Sequence, residues 1–218
     1  MYVVSIRDGV LNYPNSSKKL LEANIQISMG ELCVFVGKNG SGKTMFFDTL
    51  AGYRKLHSKA HYQVNSGAIV GYCIQDYNGG LFPWLNVMDN ILLPHQLRGD
   101  HAEVVGFAEY CLKKFNLFDK SKSYPYELSG GQRQAVNIVR TLCTPSNLLL
   151  FDEPFSALHH DTTKTAISLI HEVVDRTILL ITHSKSDITD LAPDRVFVLN
   201  GKIMETTIDS VEKVFEDD

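Results

Sequence analysis

Short apolar runs recur along the chain, each ending at glycine, polar or acidic residues. Leu32 to Val36, Leu148 to Phe151 and Thr177 to Ile181 are apolar at nearly every position, the pattern of strands buried on both faces of a parallel sheet. Ala68 to Ile74 reads as a further strand, ending at Gln75-Asp76. Val3 to Leu11 and Ala23 to Ser28 are β-prone, with Ile25 and Ile27 alternating with polar neighbours as in a half-buried strand. A turn-rich link, Tyr13 to Ser17, lies between them. These two predict a small antiparallel sheet laid against the parallel one. His57 to Ser66 is polar and predicts irregular chain.

Met45 to Ala51 predicts a helix, and from Leu85 to about Cys143 the pattern is helical. There Val104, Ala108, Cys111, Leu112 and Phe115 recur at intervals of three or four, with Glu103, Glu109, Lys113 and Lys114 between them. Val196 to Leu199, Asn200-Gly201 and Lys202 to Glu205 predict a hairpin through an Asn-Gly turn. The chain therefore reads as α/β, with a helical segment inserted between strands.

Candidate chemistry gathers where the apolar runs end. Gly37-Lys38-Asn39-Gly40-Ser41-Gly42-Lys43-Thr44 fits the phosphate-binding pattern G-x-x-x-x-G-K-[ST] between a strand and a helix. The glycines let backbone N–H groups wrap a phosphate, and the following helix dipole adds to the field. Lys43 is expected to reach the β- and γ-phosphates, and Thr44 to offer its hydroxyl to Mg²⁺. Asp152 and Glu153 follow a buried strand; the first is expected near the metal shell, the second where it can polarise an attacking water. Gln75 faces the crevice at a strand's carboxyl end as a metal and water contact, and His183 can touch the γ-phosphate and the water. Leu128-Ser129-Gly130-Gly131-Gln132 opens a helix with a serine and two glycines, a second anion site by the same physics. Tyr13, at a strand end, is a candidate to stack on adenine. The turn Leu81-Phe82-Pro83-Trp84-Leu85 reads equally as a buried staple or a partner-docking surface.

Composition narrows the classes. The 218 residues are 44% hydrophobic and 21% charged, an ordinary globular balance with room for one large domain or two small ones sharing a core. A formal charge of −4 gives no basic excess for a polyanion, so direct nucleic-acid binding is not expected. Cys33, Cys73, Cys111 and Cys143 lack metal-site or redox spacing and read as core residues of a reduced, cytosolic protein. No signal-peptide pattern opens the sequence, and no apolar run approaches the ~18 residues of a membrane span; the chain itself is expected to be soluble.

Taken together these motifs resemble the ATP-binding cassette of ABC transporters across nearly the whole length. Gly37 to Thr44 looks like Walker A, Gln75 the Q-loop, Leu128 to Gln132 the LSGGQ signature, Leu148 to Glu153 Walker B, Ser156-Ala157-Leu158 the D-loop and His183 the H-loop. Tyr13 falls where the family places its adenine-stacking aromatic. The resemblance implies a P-loop NTPase fold with a RecA-like parallel-sheet core and a small antiparallel β subdomain, over 1–80 and 146–218, and an inserted helical subdomain carrying the signature, over 81–145. It implies ATP and Mg²⁺ as ligands. It also implies a head-to-tail dimer in which Ser129, Gly130 and Gly131 of one cassette cover the γ-phosphate held by Lys43 of the other. Integral membrane permease subunits and an extracytoplasmic solute-binding protein are the implied partners, with the cassette peripheral on the inner face of the membrane. The Leu81 to Ile91 and Tyr124 to Glu127 segments look most like importer cassettes of the nitrate, sulfonate and taurine type. The sequence ends soon after the hairpin, so the extra C-terminal domain of sugar-importer cassettes is not expected. His159 stands where the D-loop usually has aspartate, and Ala135 and Asn137 replace residues commonly arginine and alanine. Competing readings are an ABC exporter cassette, or a soluble ATPase of this fold in nucleic-acid repair or translation, though this chain has one P-loop and no long heptad run. A P-loop GTPase or small-molecule kinase leaves the signature unexplained.

Overall fold

The computed structural model describes residues 1–13, 16–54, 61–64, 69–76, 80–98, 102–173 and 175–211. Strand β1 (Tyr2–Asn12) pairs antiparallel with β2 (Lys19–Ser28) on one side and with β4 (His61–Val64) on the other, giving a three-stranded sheet in the order β2-β1-β4. The strand β4 corrects the expectation of irregular chain there. His-Tyr-Gln-Val carries little apolar signal of its own, and its pairing with Val4 to Arg7 supplies what local sequence does not.

A six-stranded sheet takes the order β5-β6-β7-β3-β8-β9. Here β3 is Leu32–Val36, β5 Val70–Cys73, β6 Leu148–Asp152, β7 Thr177–Ile181 and β8 Arg195–Leu199, all parallel, and β9 (Ile203–Thr206) returns antiparallel to β8. Every residue of β6 and β7 is buried, which explains their unbroken apolar sequence.

Side chains alternate across this sheet. Val34, Val36, Leu149, Phe151, Ile178 and Leu180 face a cluster built with helices α2 (Val87–Gln96), α3 (Ala102–Lys114), α4 (Gly130–Cys143), α5 (His160–His171) and α6 (Lys185–Leu191). Cys33, Phe35, Leu148, Leu150, Leu179 and Ile181 face the other way, onto α1 (Lys43–Leu50) and the small antiparallel sheet. Phe35 is the hinge pin of that second layer, with its ring centroid 5.5, 5.6 and 5.1 Å from those of Phe46, Phe47 and Phe197. The helix that follows the phosphate loop is thereby fixed to the strand that precedes it.

All four cysteines are buried and free. Among the described residues no helix is long and apolar enough to cross a membrane.

Candidate active site

The phosphate loop leaves β3 at its carboxyl end and turns through three glycines with positive φ: Gly37 at 155°, Gly40 at 77° and Gly42 at 98°. At Gly37 a Cβ would lie 2.6 Å from the Leu199 carbonyl oxygen and 2.8 Å from Ser41 Oγ, so a side chain has no room where the loop crosses β8. Ser41 N–H donates to the Lys38 carbonyl at 3.1 Å, and Phe46 N–H reaches back to Gly42 at 2.8 Å to start α1. Asn39 and Gly40 form the exposed crest. Lys43 is buried, its Nζ donating to the carbonyls of Gly37 at 2.6 Å and Lys38 at 3.1 Å. Ser41 Oγ is buried and has no hydrogen-bond partner among the described residues.

Strand order places the other expected residues. Because β6 and β7 lie between β5 and β3, their carboxyl ends sit in one row beside the phosphate loop. Glu153 follows β6 with φ 47°, a backbone conformation that side chains rarely adopt, held there by its N–H on the Ile181 carbonyl and by Ser156 donating to its own carbonyl. Gln75 Nε2 donates to Glu153 Oε2 at 3.0 Å, and His183 Nε2 lies 2.6 Å from Glu153 Oε1. The glutamate is thus gripped by residues from the ends of β5 and β7. The His183 loop is in turn tied by Thr182 Oγ1 donating to Asp187 at 3.1 Å and Ser184 capping α6. A cavity of about 380 Å³ opens beside this group, lined by Glu153, Ser156, His160, His183 and Ser184.

Asp152, one residue earlier, is 1% exposed, and neither carboxylate oxygen has a hydrogen bond among the described residues. Burial raises its carboxyl above the usual carboxylate range; the nearby Thr44 hydroxyl opposes the rise without forming a well-aligned bond, Glu153 adds to it, and Lys43 counters it. Two orphaned acceptors and an adjacent hydroxyl make a donor set suited to a hard cation with oxygen ligands, and Gln75 spends its amide nitrogen, not its oxygen, on Glu153.

The signature lies in the helical layer, and among the described residues its hydrogen bonds stay there. Ser129 caps α4 by accepting from Gln132 N–H at 3.3 Å, while Gln132 Oε1 accepts from Ser129 N–H at 3.0 Å, a reciprocal capping box. Leu128 is buried beneath it. Gly130 opens the helix, and at Gly131 a Cβ would meet the Ala157 carbonyl at 3.0 Å, so this glycine permits close approach of the D-loop. A cavity of about 460 Å³ opens beside this contact, lined by Ser129, Gly131, Gln132, Ala135, His159 and Thr162 among others. Tyr13 follows β1 and is exposed, with Lys18 Nζ 5.4 Å from its ring centroid. Leu20, close by in β2, packs against Gly42 of the phosphate loop.

Two residues that carry structure here gave no sequence signal. Gln134 is buried in α4 and donates to the Pro154 carbonyl at 2.8 Å, joining the signature helix to the turn after Glu153. Asn90 is fully buried; its side chain accepts from Phe82 N–H at 2.8 Å and donates to the carbonyls of Phe82, Leu85 and Asn86. It holds the turn on which Trp84 stands 70% exposed, which removes the buried-staple reading for that ring, while Leu81 alone plugs into the core.

A glycine loop at the end of a buried strand, facing a row of carboxylate, amide and imidazole groups from the neighbouring strand ends, defines a P-loop nucleoside-triphosphate hydrolase. Residues 20–156 match the family described as ABC transporter. The chain is 34% identical over 195 residues to the taurine import ATP-binding protein TauB of Escherichia coli (strain K12), covering 84% of this chain and 74% of that protein; the Shigella sonnei (strain Ss046) protein gives the same figures. The chain belongs to the ABC transporter family, as an ATP-binding and ATP-hydrolysing cassette. Its fold is shared with a dimeric post-hydrolysis ATP-binding cassette bound to ADP and Pi, at TM-score 0.78 and 22% identity over 94% of this chain and 98% of that one. It is also shared with an inward-facing putative metal-chelate type ABC transporter, at TM-score 0.74 and 22% identity over 99% and 89%.

Proposed function

We propose that this cassette energises a bacterial membrane importer of a small anionic or zwitterionic solute of the taurine, sulfonate or nitrate kind. The observation that carries the ATPase reading is Glu153, held by Gln75 and His183 beside a complete phosphate loop, one residue from a buried Asp152 whose carboxylate has no hydrogen bond among the described residues. The choice of solute class is supported by the taurine import relatives.

In this reading Gly37 to Thr44 wraps the phosphates of ATP, with Lys43 leaving its two loop carbonyls for the β- and γ-oxygens, and Tyr13 stacks on adenine through the ring face away from Lys18. Thr44, Asp152 and Gln75 would hold Mg²⁺, which supplies charge neutralisation at the transferring phosphoryl group. Glu153 accepts the proton of the attacking water. Each oxygen faces one of these partners and keeps a second acceptor direction, so water can bind while Gln75 and His183 hold the carboxylate in place. Leu128 to Gln132 complete the site of a second cassette in a head-to-tail dimer. ATP then favours closure because only the closed pair contacts it from both sides, and hydrolysis removes that preference. The exposed Trp84 turn receives the permease, and a solute-binding protein delivers solute on the far side, which puts the cassette at the inner face of the membrane.

Two measurements test this. Purified protein should turn over Mg-ATP, and Glu153→Gln should slow turnover by roughly 10²–10⁴-fold while accumulating an ATP-dependent dimer on size exclusion with light scattering. Affinity capture from gently solubilised native membranes should recover a stoichiometric integral membrane protein. Recovery from the soluble fraction with ribosomal or nucleic-acid proteins attached would overturn the transport reading.

A further inference from the structure

The α4 N-terminus carries positive potential that nothing in its own first turn offsets: Gly130, Gly131 and Gln132 supply no acidic residue there. The chain adds to that potential. Lys120, at the end of the short 3₁₀ turn Phe118–Lys120, extends its ammonium to Gln132 Oε1 at 3.2 Å. No carboxylate lies within ion-pair distance of Lys120 among the described residues. A cation at the positive end of a helix dipole is unfavourable by itself, and it becomes favourable when an anion arrives.

The bond also fixes a direction. Gln132 Oε1 already accepts Ser129 N–H at 3.0 Å, so with Lys120 both lone pairs of the amide oxygen are taken. A glutamine whose oxygen is held twice cannot flip, and its Nε2 hydrogens remain as donors at the cavity that Ser129, Gly131 and Gln132 line.

We infer that Lys120 is a positioning residue for the signature half of the ATP site, holding the Gln132 amide with its N–H₂ toward the incoming triphosphate and adding one positive charge to that face. This rests on the head-to-tail reading above, in which that face meets the nucleotide of the opposite cassette. Lys120 itself belongs to no recognised motif in the sequence.

The test uses the full chain in the Glu153→Gln background, with Mg-ATP as the probe. Lys120→Met should leave thermal stability and the binding of a fluorescent ATP analogue to the isolated monomer unchanged, yet raise the ATP concentration at half-dimerisation about tenfold, the scale of one charge-assisted bond. Lys120→Arg should restore it. The Met variant should also weaken the dependence of dimerisation on ionic strength. Equal dimerisation of Lys120→Met and its parent overturns the inference and leaves the composite site standing. Failure of the Glu153→Gln parent to dimerise at saturating Mg-ATP overturns both.

Discussion

Asp152 bears a buried carboxylate whose oxygens have no hydrogen bond among the described residues. Its folded pKa lies above the ordinary value, so the folded state holds the proton more tightly than the unfolded one does. Relative stabilisation from this group is therefore complete below the ordinary carboxylate range and is lost as pH rises through the folded pKa. Asp152→Asn removes that penalty: in chelator and without nucleotide, its melting temperature should exceed that of the parent at pH 7–8, with the advantage vanishing toward pH 4. The same variant should lose Mg-ATP turnover. Greater stability together with lost activity would mark a residue that pays for function in the empty state. A melting temperature equal to or below the parent's at pH 7–8 would refute the assignment.

At the scale of elements, the Leu81–Leu85 turn depends on one side chain of α2. Removing Asn90 takes the partner from part-buried backbone groups of Phe82 and Leu85, at a cost on the order of 1–2 kcal/mol. Asn90→Ala should lower the chemical denaturation midpoint and change the emission of Trp84, the only tryptophan, with little effect on nucleotide affinity. Unchanged emission would mean the turn holds itself. The sequence reading was strongest for elements whose burial is written locally. β3 and β7 match their apolar runs because central parallel strands are buried on both faces, whereas β4 exists only through its register with β1. Helices α5 and α6 lie outside the segments whose apolar pattern predicts helix, the second being only seven residues long. Glu153, Gln75 and His183 were each legible as polar residues ending apolar runs. Their convergence was not, because it follows from the order β5-β6-β7-β3, a property of long-range pairing. Asn90, Gln134 and Lys120 gave no signal, since a polar residue inside or beside a helix reads as solvated until its partners are seen.

For the whole molecule, one face of the sheet joins α1 and the small antiparallel sheet, and the other joins the helices that carry Trp84 and the signature. The aromatic turn and Glu153 thus share a common support, which in the proposed assembly would link the permease to the nucleotide. Trp84→Glu should abolish recovery of the membrane partner and uncouple solute uptake, while the isolated cassette binds ATP with unchanged affinity. Undiminished uptake would place the docking surface elsewhere.

The parked Lys43 has a consequence for the cycle as a whole. The Lys43 ammonium donates to the carbonyls of Gly37 and Lys38, so the loop encloses its own cation. In the cycle proposed above, arriving phosphates would exchange one set of oxygens for another around a charge already desolvated, and the loop would keep its shape through the exchange without having to be rebuilt.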